Sequence, residues 1–157
     1  MRVGLGYDIH PLVEGHPLVL GGVELDSPVG PRAHSDGDVL VHALCDALLG
    51  ALGAGDIGVH FPDTDEQWGG AHSLDFLLTV KQLLDEHGYA VVNLDVTVIL
   101  ERPALAPHVD KMRRNVSAAL DIVPVQISIK ATTHEGLGAL GEGRAVAALA
   151  VALIEPR

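Results

Sequence analysis

Apolar and polar positions alternate most cleanly from Val92 to Leu100, with Val92, Leu94, Val96, Val98 and Leu100 on one side and Asn93, Asp95 and Thr97 on the other. A period of two predicts a half-buried strand. Val125, Ile127 and Ile129 alternate with Gln126, Ser128 and Lys130 and predict a second. Residues 1 to 9 read as a strand, and Val19 to Leu25, broken by Gly21-Gly22, as a short strand pair. Helical spacing predicts three helices. One is opened by Ser35, Asp36 or Asp38 as N-cap and runs to about Leu52. The second spans about 73 to 87, with Leu74, Leu77, Leu78 and Leu84 on its stripe, Ser73 as cap and Gly88 as stop. The third is opened by Pro107 and carries Val109, Met112, Val116 and Leu120. The run from Arg144 to Ile154 is apolar without a period that separates a helix from a buried strand.

No repeat, low-complexity tract or linker interrupts this pattern, and 157 residues suit one domain, 1–157, with a real core. Ten Lys and Arg against 21 Asp and Glu leave a formal charge of −11. Such a surface repels a phosphate backbone, so nucleic acid is not an expected partner, whereas small phosphates can still bind where cations reverse the local field. The lone Cys45 excludes an internal disulfide and fits a reducing cytoplasm. The N-terminal residues reach Asp8 and His10 too soon for the apolar core of a signal peptide. The apolar C-terminal run has roughly half of the ~20 residues a membrane span requires.

Asp8 and His10 stand two apart on the first strand, so both side chains leave the same face, roughly 7 Å apart along the strand. His42 lies on the helix that follows. Two imidazoles and a carboxylate suit zinc, and three protein ligands leave a fourth position for substrate. Asp46, one turn beyond His42, is placed to accept a hydrogen bond from its second ring nitrogen. The competing reading is an accidental Asp-x-His pair in a chain with nine histidines. His16, His72, His87 and His108 fall in loops or on helix surfaces and suggest plain solvent exposure.

Lys130 to Gly136, after a predicted strand, gathers hydroxyls, a cation and a carboxylate that could grip a diphosphate or form an ordinary polar turn. His60 to Asp65 is equally open to a polyol-binding loop or an Asx-rich turn. Gly136 to Gly141 formally matches the dinucleotide fingerprint, but that motif requires a further helix, strand and acidic residue, and the chain stops at Arg157.

Gly6-Tyr7-Asp8-Ile9-His10, Ala33-His34-Ser35-Asp36-Gly37-Asp38 with His42, Asp56-Ile57-Gly58, Phe61-Pro62-Asp63-Thr64-Asp65 and Lys130-Ala131-Thr132-Thr133 together resemble one family. It is the 2-C-methyl-D-erythritol 2,4-cyclodiphosphate synthases, and the resemblance spans essentially the whole chain. It implies an α+β domain with a mixed sheet packed with helices, assembled as a homotrimer with sites between subunits, and the last segment as a strand. The implied reaction converts 4-diphosphocytidyl-2-C-methyl-D-erythritol 2-phosphate to the cyclic diphosphate and CMP, a phosphorus–oxygen lyase step of isoprenoid precursor synthesis.

By the same resemblance Asp8, His10 and His42 bind Zn2+. His34 and Ser35 contact the phosphorylated methylerythritol together with Asp8, Ile9, His10 and the segment Phe61, Pro62, Asp63, Thr64 and Asp65. Asp56, Ile57 and Gly58 hold the ribose, and Leu100, Glu101, Arg102, Pro103, Ala104, Leu105 and Ala106 wall the cytosine. Ala131, Thr132, Thr133 and His134 lie along the diphosphate, while Glu135 helps hold a second ion, Mg2+ or Mn2+. His34 and Thr133 are the expected catalytic hydrogen-bond partners.

After Gly138 the family usually carries an aromatic residue and an arginine that line a cavity on the trimer axis. Here Ala139-Leu140-Gly141-Glu142 follows, which puts binding of an isoprenoid diphosphate there in question. Ala104 and Ala106 are smaller than usual and would leave cytosine contacts to backbone groups. Two other readings compete: a zinc phosphohydrolase releasing inorganic phosphate, and a non-catalytic module whose metal only holds an oligomer together.

Overall fold

The computed structural model describes residues 1–62, 64 and 68–157. A five-stranded mixed sheet, ordered β4-β1-β7-β5-β6, is built from β1 (Arg2–Glu14), β4 (Val29–Pro31), β5 (Tyr89–Ile99), β6 (Ile127–Thr132) and β7 (Ala145–Pro156). β1 and β5 flank β7 antiparallel, and β6 joins β5 in parallel. A two-stranded ribbon of β2 (Leu18–Leu20) and β3 (Val23–Leu25) lies apart from the sheet. The helices α1 (Val39–Leu52), α3 (Ser73–Glu86) and α4 (Val109–Leu120) supply most of the packing, with short turns α2 (Ile57–His60) and α5 (Gly138–Gly141). This is an α+β architecture, and the apolar run at the end of the chain is the strand β7.

The pairing of β1 with α1 positions everything that follows. Along β1 the buried positions are Gly4 and Gly6, while Val3, Leu5, Tyr7 and Ile9 are exposed. The inward face of the strand is therefore nearly bare backbone, and α1 lies directly on it. A Cβ added at Gly6 would sit 1.9 Å from the carbonyl oxygen of Ala43, and one at Gly4 would sit 1.9 Å from that of Ala47. β7 continues the small-residue surface, pairing Ala148, Ala150 and Ala152 with Asp8, Gly6 and Gly4. Leu40, Leu44, Leu48 and Leu49 of α1 are fully buried.

α1 begins at Asp38, whose Oδ1 accepts from the Val41 amide and whose Oδ2 accepts from the Gly22 amide. Complete burial raises this carboxyl to about 6, against the two amide hydrogen bonds that favour its ionised form. α1 ends at Gly53 in the left-handed conformation, φ 75°.

Four local expectations change. A β-bulge between Val91 and Asn93 shifts the start of the alternation in β5, so that Val91 and not Val92 takes the buried position. Val125 lies in a 3-10 turn and is exposed, so β6 starts only at Ile127. Leu78 is exposed, and Phe76 and Val80 join Leu77 and Leu84 on the buried face of α3. Ser73 is the first helical residue of α3 rather than its cap, and the amide there is satisfied from a distance by Asp36 Oδ2 at 3.0 Å. Among the described residues no helix is long and apolar enough to cross a membrane.

Replacing Gly6 with Ala should separate β1 from α1 and cost several kcal/mol, because the new methyl meets backbone that cannot rotate away. The expected result is loss of soluble protein or a strongly lowered unfolding temperature, whereas the exposed neighbour Leu5→Ala should leave the fold intact.

Candidate functional site

Asp8 and His10 continue the inward alternation of Gly4 and Gly6, and His42 precedes Ala43, the residue whose carbonyl lies against Gly6. The same close approach that excludes a side chain at position 6 therefore delivers three polar ones just beyond it. Asp8 Oδ2 lies 2.9 Å from His42 Nδ1 and 3.1 Å from His10 Nε2, and the two ring nitrogens are 3.4 Å apart. Ligands about 2.0–2.1 Å from a tetrahedral ion stand about 3.3 Å from one another, so the three atoms are spaced as a shared divalent metal would hold them. Among the described residues they form the only such cluster.

The electrostatics agree with a site made for a cation. Burial works to raise the Asp8 carboxyl, but hydrogen bonds from His10 and His42 overcome it and hold Asp8 far below the usual carboxylate range. Burial works to lower His42, and the hydrogen bond and charge of Asp8 overcome it and raise the imidazole. In the absence of metal a proton on His42 does part of the cation's work.

The triad opens on a cavity of about 580 Å³ lined also by Arg32, His34, Ser35, Ile57, Gly58, Phe61 and Pro62. Its apolar wall holds both phenylalanines of the chain and its single tryptophan. Phe76 stacks on His42 at 5.9 Å and on Phe61 at 4.5 Å, with Trp68 edge-on to both phenylalanines. This wall limits rotation of the His42 ring and keeps the dielectric low beside the triad.

A second cavity, about 740 Å³, is lined by Asp26 to Val29, Glu101 to Ala104 and Gly141 to Gly143. Beside it the ends of the parallel strands β5 and β6 are tied together. The Leu100 amide donates to Thr132 O at 3.0 Å, the His134 amide donates to Glu101 Oε1 at 2.6 Å, and Thr133 Oγ1 donates to Glu135 Oε1 at 3.0 Å. Ala131 to Glu135 are all exposed, and Glu135 holds φ 52°.

The expected site residues thus fall into two groups within one chain. Asp8, His10, His34, Ser35, His42, Ile57, Gly58, Phe61 and Pro62 surround the first cavity, and Glu101 to Ala104 line the second. Leu100 and Leu105 are buried, and Ala106 is exposed. Thr64 is exposed, while Asp63 and Asp65 lie outside the described residues. Asp56 is exposed, and its Oδ1 accepts from the Val59 amide at the start of α2. Ile9 points to the opposite face from Asp8, among the exposed apolar residues.

One expectation is overturned. Asp46 Oδ1 accepts from the Ile57 amide at 2.7 Å and makes no hydrogen bond to His42. The Nε2 of His42 instead meets Ser73 Oγ at 2.8 Å and Ser35 Oγ at 3.2 Å. Shared helical face is too coarse a criterion, because the imidazole swings toward β1 while Asp46 turns to the start of α2. Ser73, Asp36, Phe76, Trp68 and Arg32 carried no expectation as site residues. The one available signal was a serine and an aromatic three apart at a helix start, which also describes an ordinary cap and core position.

An α+β domain with an Asp-His-His cluster facing a cleft defines a class of small enzyme that could hold a divalent metal. The YgbB family description matches residues 1–155. The chain is 56% identical over the full length of both chains to the 2-C-methyl-D-erythritol 2,4-cyclodiphosphate synthase of Symbiobacterium thermophilum. It is 54% identical over 98% of this chain and 95% of the other to the synthase of Pelotomaculum thermopropionicum. Among solved structures, a 2C-methyl-D-erythritol-2,4-cyclodiphosphate synthase described as its CDP-bound form superposes with a TM-score of 0.91 at 42% identity, covering 98% of this chain and 100% of that one. A Plasmodium falciparum homologue described as a CDP complex gives 0.87 at 38% identity, over 99% and 96% of the two chains. The chain belongs to the 2-C-methyl-D-erythritol 2,4-cyclodiphosphate synthase family.

Saturating the metal-stripped protein with a divalent ion such as zinc should stabilise it by about 2.7 kcal/mol at one hundred times the dissociation constant. That corresponds to roughly 5–10 °C in unfolding temperature for a domain of this size. His42→Ala should not respond. The shift should shrink on acidification, since protons compete for the same lone pairs. The metal-free protein should behave oppositely in one respect. The raised His42 contributes stability that is complete below the ordinary imidazole pKa of 6.5 and is lost as pH rises through its folded value.

Proposed function

We propose that the protein cyclises 4-diphosphocytidyl-2-C-methyl-D-erythritol 2-phosphate to 2-C-methyl-D-erythritol 2,4-cyclodiphosphate with release of CMP, as a phosphorus–oxygen lyase of the cytoplasm. The observation that carries this is the convergence of Asp8, His10 and His42 on one point at the mouth of a cavity, in a chain more than half identical along its whole length to named synthases. Zn2+ held by these three residues would act as Lewis acid and template toward a substrate phosphate in its open position, the charge neutralisation that an acidic protein cannot provide from side chains alone.

The substrate brings its own nucleophile. A 2-phosphate oxygen forms the new bond to the β-phosphorus, the bond from that phosphorus to the bridging oxygen breaks, and CMP leaves carrying that oxygen. No strong protein base is needed, and the work left to the protein is alignment and hydrogen bonding. His34 and Ser35 line the first cavity beside the triad and hold the methylerythritol phosphate, with Asp63 and Asp65 as further ligands of that end. Asp56, Ile57 and Gly58 take the ribose. Glu101 to Ala104 hold the cytosine in the second cavity, and Leu100, Leu105 and Ala106 complete that wall. Thr132 and Thr133 donate to the diphosphate as charge builds, and Glu135, already in contact with the Thr133 hydroxyl, would help hold Mg2+ or Mn2+.

The assembly that suits this reading is a homotrimer. Val3, Leu5, Tyr7 and Ile9 of β1 with Leu149 and Val151 of β7 form an exposed apolar face on the side of the sheet away from α1. Apolar residues grouped in this way mark an interface. A neighbouring copy would bring its nucleotide-binding cavity to the metal cleft, which explains why the two groups of site residues are separated within one chain.

Phosphorus NMR of the cytidyl substrate with protein, zinc and magnesium should show the cyclic diphosphate and CMP appearing together, and a chelator should stop both. Linear product with inorganic phosphate would overturn the reading in favour of a hydrolase. His42→Ala should reduce turnover below detection while remaining folded. Leu5→Asp should lower the mass measured by light scattering and lose turnover with it; a fully active monomer would contradict sites shared between subunits.

A further inference from the structure

The ring nitrogen of His42 that faces away from the triad lies against Ser73, which is tied in turn to Asp36, and the reaction assigns a role to neither of these two residues. Ser73 is completely buried at the first position of α3, and its Oγ lies 2.8 Å from His42 Nε2 and in hydrogen-bond contact with Asp36 Oδ1. A hydroxyl has one proton to give. Asp36 is a carboxylate fixed by three other contacts: its Oδ2 accepts from the Ser73 amide at 3.0 Å, its Oδ1 accepts from the Asp38 amide at 3.3 Å, and its own amide donates to Ala71 O at 3.2 Å. The Ser73 proton therefore goes to Asp36, and toward His42 the Ser73 oxygen can only accept. This requires a proton on Nε2, so Nδ1, which in the metal-free protein donates to Asp8 at 2.9 Å, is the nitrogen that gives up its proton to a cation.

We propose that Ser73 and Asp36 form a positioning relay that keeps a proton on Nε2 of His42, so that Nδ1 is the nitrogen left to bind a metal ion. The relay rests on the reading of Asp8, His10 and His42 as a metal site. Because Ser73 and Asp36 are joined by both the side chain and the backbone amide of Ser73, the start of α3 and the loop before α1 are locked to each other and to His42. Ser35, 3.2 Å from the same nitrogen, is the only alternative partner among the described residues, and its oxygen already accepts from the Gly37 amide at 3.2 Å. Ser35 lines the cavity and is only partly buried, so water can replace it, whereas nothing replaces Ser73.

The test compares wild type, Ser73→Ala, Ser73→Thr and His42→Ala for zinc affinity by chelator competition, and records imidazole nitrogen-15 shifts of His42 in the metal-free and zinc-loaded proteins. Ser73→Ala is expected to bind zinc 10- to 100-fold more weakly, the range seen when outer hydrogen-bond partners of metal-ligating histidines are removed. Its His42 is also expected to lose the single Nε2-protonated signature of the zinc-loaded wild type. Ser73→Thr keeps the oxygen and is expected to restore both.

Wild-type affinity and an unchanged His42 spectrum in a folded Ser73→Ala would overturn the relay and leave the metal site standing. Zinc binding by His42→Ala equal to wild type would remove the metal site itself and the relay with it. Should Ser73→Ala fail to fold, Asp36→Ala, which removes the acceptor of the Ser73 proton, carries the test, with the same two readouts and the same loss expected. In that variant, wild-type affinity with the Nε2-protonated signature intact would overturn the relay.

Discussion

Everything in the cleft depends on the helix α1 lying against bare strand backbone at Gly4 and Gly6. Helices normally pack on sheets with a layer of side chains between them. Here the layer is absent for two consecutive inward positions, and the next two inward positions are Asp8 and His10. The strand alternation that makes room for the helix also supplies the ligands. His42 then needs only to occupy the helix position beside the contact. The glycines are part of the candidate metal site although neither touches it.

That economy determines how the rest of the chain is distributed. With its inward face given to the helix and the triad, β1 carries its large apolar side chains on the outer face, the reverse of an ordinary half-buried strand. The outward residues of β7 opposite them, Leu149 and Val151, are apolar too, whereas the same face of β5 turns polar at Asn93, Asp95 and Thr97. The outer face of the sheet is thus apolar on two central strands and polar on the third. The exposed Thr132 and Thr133 at the end of β6 line neither of the two cavities described.

Much of this was legible in the residues. The strand alternation from Leu94 to Leu100, most positions of the helix stripes and the break at Gly21-Gly22 followed from periodicity, because the period of an amphipathic element is fixed by its geometry, whereas the bulge before Asn93 put Val91 in the place expected of Val92. The triad was legible as a spacing, and resemblance to a family made it specific. What periodicity missed was set by tertiary contact. The strand β7 carries apolar residues on both faces, Ala148, Ala150 and Ala152 inward and Leu149 and Val151 outward, so its sequence has no polar–apolar period, and Val125 alternates correctly in sequence but is spent in a turn. Asp46 shares a face with His42, yet an amide 11 positions later takes its carboxylate. Ser73 looked like a cap because capping is what serines at helix starts usually do, whereas its hydroxyl donates to Asp36, distant in sequence, and its oxygen faces His42.

The most direct test of the account is anomalous diffraction at the zinc edge from crystals of the metal-loaded protein. A single strong peak bonded to Asp8 Oδ2, His10 Nε2 and His42 Nδ1, with one position open toward the cavity and Ser73 still on Nε2, is the expected result. An ion bound through Nε2 of His42, or a peak away from β1 and α1 altogether, would contradict the view that the bare inward face of β1 exists to build this site.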